Sequence, residues 1–362
     1  MIERVEKLPK PEPDMNRLVT ALRRGKPDRV PLIELAIDSE IVRVLWGGPP
    51  PMWNDSFDAG QAGTFARDHI AFWRRLGYDY IRVYPRVPFD FTRVCSNDSA
   101  DLSRGKRSWA DSAHGTMETL EQAQRYPWPT LTPADLRCAE TVLAHLPEGM
   151  GAIGWSGGIF EFASQLIGLE RFFTAIYDEP ELVRLVIDRV AGLIHETFKA
   201  FCQMDAIRAI WMGDDLGSKN ATMVDPGFLR EAIFPWYRKY AELAHSTGRL
   251  FLLHSCGNLT LIMDDLIELG VDGKHSFEDA IMPVEQIKAR WGDRMAILGG
   301  VDVDLLSRGS ESDVQARTET ILRTCSPDGG FACGSGNSIP NYARPENYLA
   351  MLETVHRFNG RC

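Results

Sequence analysis

Short apolar runs alternate with longer amphipathic ones along the chain, and this alternation constrains the fold more than any other feature. Eight runs have the length and composition of buried strands: 30–37 (VPLIELAI), 79–84 (DYIRVY), 150–155 (MGAIGW), 207–212 (IRAIWM), 250–254 (LFLLH), 271–276 (VDGKHS), 295–299 (MAILG) and 329–333 (GGFAC). Helix-period segments lie between most of them. Residues 62–76 carry Phe65, His69, Phe72, Trp73 and Leu76 on one face, and 179–203, 226–247, 259–269, 283–291, 311–325 and 345–358 complete the set. Asp225-Pro226 is a helix start, and Pro283 and Pro345 sit where a first turn tolerates a missing N–H. Strands alternating with helices imply a parallel α/β sheet, and eight is the number that closes into a (β/α)8 TIM barrel. A doubly wound open sheet is the competitor. No G-x-G-x-x-G follows the first run, which weakens its dinucleotide-binding version.

Residues 85–131 fit neither pattern. VPFDFTRVCS, SRGKRSWADS and the exit YPWPTLTP read as a β-hairpin inserted after the second strand and lying over one end of the barrel. Its Arg86, Arg93, Arg104, Lys106 and Arg107 either face an acidic ligand or solvate a surface. Residues 1–14 read as an N-terminal tail, and the rest of the 362 residues as a single barrel domain. No apolar stretch approaches the ~20 residues of a membrane span, and no apolar segment opens the chain as a secretory signal would. The net charge of −10 argues against nucleic acid as a partner and for small molecules or another protein. Seven widely spaced cysteines suit a reducing cytoplasm better than a disulfide scaffold. A homodimer is left open.

In such barrels function sits at the C-terminal ends of the strands. Those ends supply Glu34 and Asp38, Arg82 and Tyr84, Trp155 with Glu161 following, Asp214-Asp215, His254-Ser255-Cys256, His275, Asp302 after Gly299-Gly300, and Cys333-Gly334-Ser335-Gly336-Asn337. His254, Cys256 and Cys333 stand out. One imidazole and two thiols suit Zn²⁺, and three protein ligands with an open position is the catalytic pattern. The alternative is that these cysteines are ordinary core residues. Asp214 and Asp215 are the acid–base candidates, with helix or loop capping as the alternative for one of them. Glu34, Arg82, Tyr84, Trp155, Asp302, Gly334, Ser335 and Asn337 are the substrate-binding candidates. The Gly334–Asn337 loop follows the last strand, where barrels cradle anions or else simply turn.

The run from Gly213 onward resembles the uroporphyrinogen decarboxylase superfamily. MGDDLGS, HSCGN, GVDGKHSFED, ILGGVDVD and GSGNSIPNYARPENYLAML carry the resemblance, with a weaker match at GKPDRVPLIE. It implies a (β/α)8 fold over almost the whole chain. The decarboxylases themselves use no metal or cofactor and grip substrate carboxylates with a first-strand M-R-Q-A-G-R-Y loop. Here that place holds Glu34 and Asp38, which are expected to repel a polycarboxylate. The corrinoid-linked methyltransferases of the methylcobalamin:coenzyme M type are similar in a zinc-binding H-x-C…C set, which His254, Cys256 and Cys333 match. That resemblance implies bound Zn²⁺, a small-molecule thiol as acceptor, and a methylated corrinoid arriving free or on a carrier protein. Asp215, His275 and Asp302 are candidates for a fourth ligand. The reading is a zinc-dependent methyltransferase. The rivals are a cofactor-free decarboxylase and a non-catalytic binding barrel.

Overall fold

Seven of the eight expected strands form one parallel sheet in the computed structural model, which describes residues 1–85, 89, 91, 93–97, 106–110 and 114–361. In chain order the strands are β1 (Tyr80–Val83), β2 (Arg93–Asn97), β3 (Lys106–Ala110), β4 (Gly151–Gly157), β5 (Ile207–Gly213), β6 (Leu250–His254), β7 (Gly273–His275), β8 (Ala296–Leu298) and β9 (Phe331–Ala332). The parallel sheet runs β1-β4-β5-β6-β7-β8-β9. Helices connect the strands, and the fold is a (β/α)8 barrel.

The eighth position belongs to residues 30–37, which form bridges rather than the expected strand. Leu32 pairs with Cys333 and Ile37 with Ile339, both parallel. Ile33 N donates to Cys333 O and Cys333 N to Pro31 O, each at 2.9 Å. Pro31 has no N–H, so the ladder cannot run one rung further back. Toward β1 a side chain takes the place of a rung: Tyr80 Oη donates to Glu34 O at 2.6 Å and Glu34 N donates to Tyr80 Oη at 2.9 Å. Gly334 permits this closeness, because a Cβ there would sit 1.7 Å from Ile33 O.

Strand alternation decides what reaches the barrel interior. Gly213, His254, His275, Leu298 and Ala332 stand in register on successive strands and share one face. The residue after each turns to the other face. The expected helices 179–203, 283–291, 311–325 and 345–358 appear as Pro180–Phe201, Val284–Trp291, Glu311–Cys325 and Pro345–Phe358. The expected 226–247 helix is not continuous. Asp225 caps a short turn by accepting from Gly227 N at 2.7 Å, a π-helical segment spans Leu229–Ile233, and the α-helix proper is Phe234–Ser246. Pro235 lacks the N–H for a regular i→i−4 bond, and the wider turn absorbs that loss.

Residues 1–14 do not behave as a tail. Ile2–Glu6 is helical, Val5 and Leu8 are buried, and Arg4 makes paired bonds of 2.6 and 2.8 Å to Glu353. After β1, β2 and β3 pair antiparallel with Cys95 opposite Ser108. Their connection, and with it Arg104, lies outside the described residues, as does Arg86; the placement of this pair over the barrel mouth lies outside them too. The segment then continues into a helix, Leu120–Arg125, that the sequence did not announce. No helix among the described residues is long and apolar enough to cross a membrane.

Candidate active site

Three potential ligand atoms meet at the C-terminal ends of β5 and β6. His254 Nε2, Cys256 Sγ and an Asp215 carboxylate oxygen all lie within 4.8 Å of one another. His254 Nε2 is 3.5 Å from Cys256 Sγ and 3.7 Å from Asp215 Oδ1. Two ligands on one tetrahedral zinc ion stand roughly 3.4–3.7 Å apart for bonds of about 2.0–2.3 Å, so both separations suit a common centre. His254 is buried, whereas the Asp215 side chain is 49% exposed, which opens the group on that side.

Hydrogen bonding fixes the His254 ring. His275 Nε2 lies 3.2 Å from the Ser335 carbonyl oxygen, which can only accept, so that nitrogen carries the proton. Burial, then the Lys274 charge, push the His275 imidazolium down to about 3, so the ring is neutral and its Nδ1 is a bare acceptor. His254 Nδ1 stands 2.8 Å from that acceptor and must donate. His254 is likewise held well below its ordinary pKa by burial first, and is neutral. Its Nε2 therefore presents a lone pair to Cys256 and Asp215. A partner fixing the tautomer of an imidazole in this way is the usual arrangement behind a metal-ligating histidine.

Cys256 is held at its sulfur by two donors and at its backbone by Asp215. Asn337 Nδ2 donates to Cys256 Sγ at 3.1 Å, and Ser276 Oγ donates at 3.6 Å. Asp215 Oδ1 accepts from Cys256 N at 2.9 Å, which ties the ends of β5 and β6 together. Burial, then the Asp215 charge, push the free thiol up to about 12, so Cys256 stays protonated unless a cation replaces its proton.

Cys333, the third expected ligand, is not brought to this group. Ala332 shares the inner face with His275, so Cys333 turns outward, where burial and then the neighbouring Cys325 of the surrounding helix and Glu34 raise its thiol. H-x-C at one strand end survives folding because its residues are two apart. The second thiol fails by one residue of strand parity.

Asp214 also departs from the expected role. It is fully buried and accepts from Glu161 N (2.9 Å), Phe160 N (3.1 Å) and Tyr237 Oη (2.8 Å). Both oxygens are spent on the start of the helix Ile159–Ile167 and on the helix Phe234–Ser246. Asp214 is thus a capping and tethering residue, the alternative the sequence held open. Asp302 caps too, accepting from Asp304 N and Asp279 N at 2.7 and 2.8 Å.

Glu34 is buried and accepts from Ser335 Oγ (2.7 Å), Ser335 N (3.2 Å) and Leu35 N (3.1 Å). Burial raises it to about 8, so it is largely neutral at pH 7. Asp38 accepts from Asn341 N at 2.8 Å. Glu34 is therefore largely uncharged in the fold, so its own share of the expected repulsion of a polycarboxylate falls away. Arg82 stacks on Trp155, with Cζ 4.6 Å from the ring centre. Trp155 in turn lies across Gly213, where a Cβ would be 2.4 Å from it, and edges to within 6.4 Å of the His254 ring centre. Tyr84 is exposed. Gly334 makes the close contact with Ile33 described above.

Sequence reasoning undervalued Glu161, Tyr237 and Lys274. Glu161 is raised to about 8 by burial and then by the Asp215 and Asp214 charges. Its place two residues into a helix after β4 was visible, its weakened acidity was not. Tyr237, which reaches Asp214, lies in the helix just after the π-helical turn, which no local pattern announces.

A family model described as uroporphyrinogen decarboxylase (URO-D) matches residues 101–358. The uroporphyrinogen decarboxylase of Anaeromyxobacter dehalogenans (strain 2CP-C) is 28% identical over 232 residues, 62% of this chain and 62% of that protein. That of Pseudoalteromonas atlantica is 22% identical over 236 residues, 62% of this chain and 64% of that protein. The chain thus matches under two thirds of the length of these curated relatives. Among solved structures, a methyltransferase from Methanosarcina mazei is similar with a TM-score of 0.68 at 19% identity, covering 96% of this chain and 99% of that one. At that identity the likeness is one of fold.

Proposed function

Since the chain belongs to the uroporphyrinogen decarboxylase family, we propose that it is an enzyme of the family's zinc-dependent methyltransferase kind, moving a methyl group between a corrinoid and a small-molecule thiol. One observation carries the reading: the His254 lone pair is fixed toward Cys256 and Asp215, at separations one ion can bridge. An imidazole, a thiol and a carboxylate are a donor set that suits Zn²⁺, and three such ligands leave a fourth position for substrate. Zinc bound there would hold an incoming thiol as thiolate at neutral pH.

The chain's own residues do the rest. His275 keeps the His254 lone pair aimed into the mouth. Asn337 and Ser276 hold the Cys256 sulfur. Trp155 forms an apolar wall beside His254, on which a flat ligand face can rest. The corrinoid comes free or on a carrier protein, since no D-x-H-x-x-G run occurs in the sequence to bind it.

The decarboxylase reading has an observation of its own. Arg82 forms no ion pair among the described residues and stacks on Trp155, the ring beside His254, so its guanidinium is available to a substrate carboxylate there. One experiment separates the two. Protein purified with zinc present is analysed for metal, then assayed for methyl transfer from methylcobalamin to a panel of thiols and for CO₂ release from uroporphyrinogen. About one zinc per chain with thiol methylation supports the methyltransferase. A metal-free protein that releases CO₂ replaces it with the decarboxylase.

A further inference from the structure

Lys274 is a buried cation with no carboxylate partner. Its residue is 2% exposed, and among the described residues it forms no ion pair. Its Nζ donates to the backbone oxygens of Ser276 (2.6 Å), Ser255 (3.1 Å) and His275 (3.3 Å), and stands 4.3 Å from the centre of the Phe277 ring. Carbonyl oxygens only accept. A neutral amine offers two N–H groups and a lone pair that the third carbonyl would repel, so three carbonyls call for the ammonium form.

The three acceptors are not scattered. Ser255 lies between His254 and Cys256. His275 fixes the tautomer of His254. Ser276 holds a left-handed φ of 84°, unfavourable for a residue with a Cβ, and its hydroxyl reaches Cys256 Sγ. One ammonium thus ties the loop after β6 to the loop after β7, and it grips the strained residue most closely.

We propose that Lys274 is the positioning residue of this site: by pinning the ends of β6 and β7 it holds the His254–His275 pair in line and keeps the His254, Cys256 and Asp215 ligand atoms within reach of one ion. The part concerning the ion rests on the proposed function; the part concerning the histidine pair does not.

The barrel supplies a matched control. Lys288 Nζ also donates to three backbone oxygens, those of Gly329 (2.7 Å), Gly292 (3.3 Å) and Gly330 (3.4 Å), but at the opposite end of the strands. Lys274→Met and Lys288→Met each remove an ammonium from three carbonyls at similar side-chain length. The full chain, labelled with ¹⁵N-histidine, is examined metal-free by NMR for the slowly exchanging imidazole N–H between His254 and His275. Cobalt(II) is then titrated and followed by its thiolate charge-transfer absorption.

The expected result is that Lys274→Met loses the protected imidazole signal and binds cobalt(II) roughly tenfold or more weakly, in keeping with the loss of an outer-shell partner. Lys288→Met keeps both properties at wild-type level. Wild-type behaviour of Lys274→Met, or equal losses in Lys288→Met, overturns the proposal. Should the wild-type chain bind no cobalt(II), the metal reading falls, and the imidazole signal alone decides the role of Lys274. If Lys274→Met does not fold, Lys274→Gln, which keeps two N–H donors without the charge, carries the same comparison with losses in the same direction.

Discussion

The Nδ1 atoms of His254 and His275 lie 2.8 Å apart, and this single contact orients the imidazole that faces Cys256 and Asp215. Both nitrogens cannot be protonated, and the Ser335 carbonyl settles which one is.

Removing the His275 ring frees His254 to take either tautomer and to rotate. His275→Phe keeps the aromatic volume against Trp211, whose ring meets the His275 ring edge-on at 5.4 Å. We expect zinc affinity to fall by roughly 10–100-fold, with a melting temperature within a few degrees of wild type. Competition with a chromophoric chelator measures the first quantity and thermal denaturation the second. Unchanged zinc affinity would refute the tautomer argument.

The two cysteines of the sequence motif are expected to behave differently. Cys256→Ser should abolish stoichiometric zinc binding. Cys333→Ser should leave it intact, because the Cys333 side chain is on the helix-facing side of the barrel wall. It should cost stability instead, on the order of 1 kcal/mol, by placing a hydroxyl in an apolar site. Metal content and urea denaturation of both variants distinguish them, and loss of zinc in Cys333→Ser would place that thiol in the site after all.

The adjacent aspartates should separate in the same manner. Asp214→Asn turns an amide N–H₂ toward donors that now meet carboxylate oxygens, so folding stability should drop by about 2 kcal/mol. Asp215→Asn is half in solvent and should leave stability almost unchanged while weakening zinc binding. Chemical denaturation of the pair is the check. Equal destabilisation by both substitutions would contradict the capping assignment.

Glu34 should make the barrel less stable as pH rises. Its carboxyl titrates near 8 in the fold against an ordinary value of 4.5, because burial disfavours the charge. Between those values the folded chain holds a proton that the unfolded chain has released. The contribution is complete below about pH 4.5 and is lost as pH climbs toward 8, at up to roughly 1.4 kcal/mol per pH unit. Glu161, also near 8, acts in the same direction. Urea denaturation from about pH 5 to 8 should show this decline, and Glu34→Gln should flatten part of it. An identical slope in wild type and variant would mean that Glu34 is already ionised.

The barrel was legible because seven strands announce themselves as short runs set between longer amphipathic segments, most of them apolar, and those runs survive folding with their ends shifted by a residue or two. The first strand was misjudged at Pro31, where a missing donor matters more than apolar content. The N-terminal tail was misjudged because composition hides specific pairing: Arg4 looks like solvated charge until Glu353 is brought to it from the far end of the sequence. In the site, His254 and Cys256 could be read from one local motif. Cys333 could not, since which face of the wall a residue occupies depends on register with β8. Asp214 and Asp215 are indistinguishable in sequence, and only the approach of the Phe160 and Glu161 amides and the Tyr237 hydroxyl tells them apart.

The seam that closes the barrel joins Leu32 to Cys333, Ile37 to Ile339 and Glu34 to Ser335, partners 301 positions apart in the last case. A ribosome releases one side of that seam long before the other exists. Until Ser335 emerges, the Glu34 carboxyl stays hydrated and charged, and the edges flanking it have nothing to pair with. Closing the ring desolvates Glu34 and raises its carboxyl to about 8, so at neutral pH joining the two ends of this barrel takes up a proton as well as burying a seam.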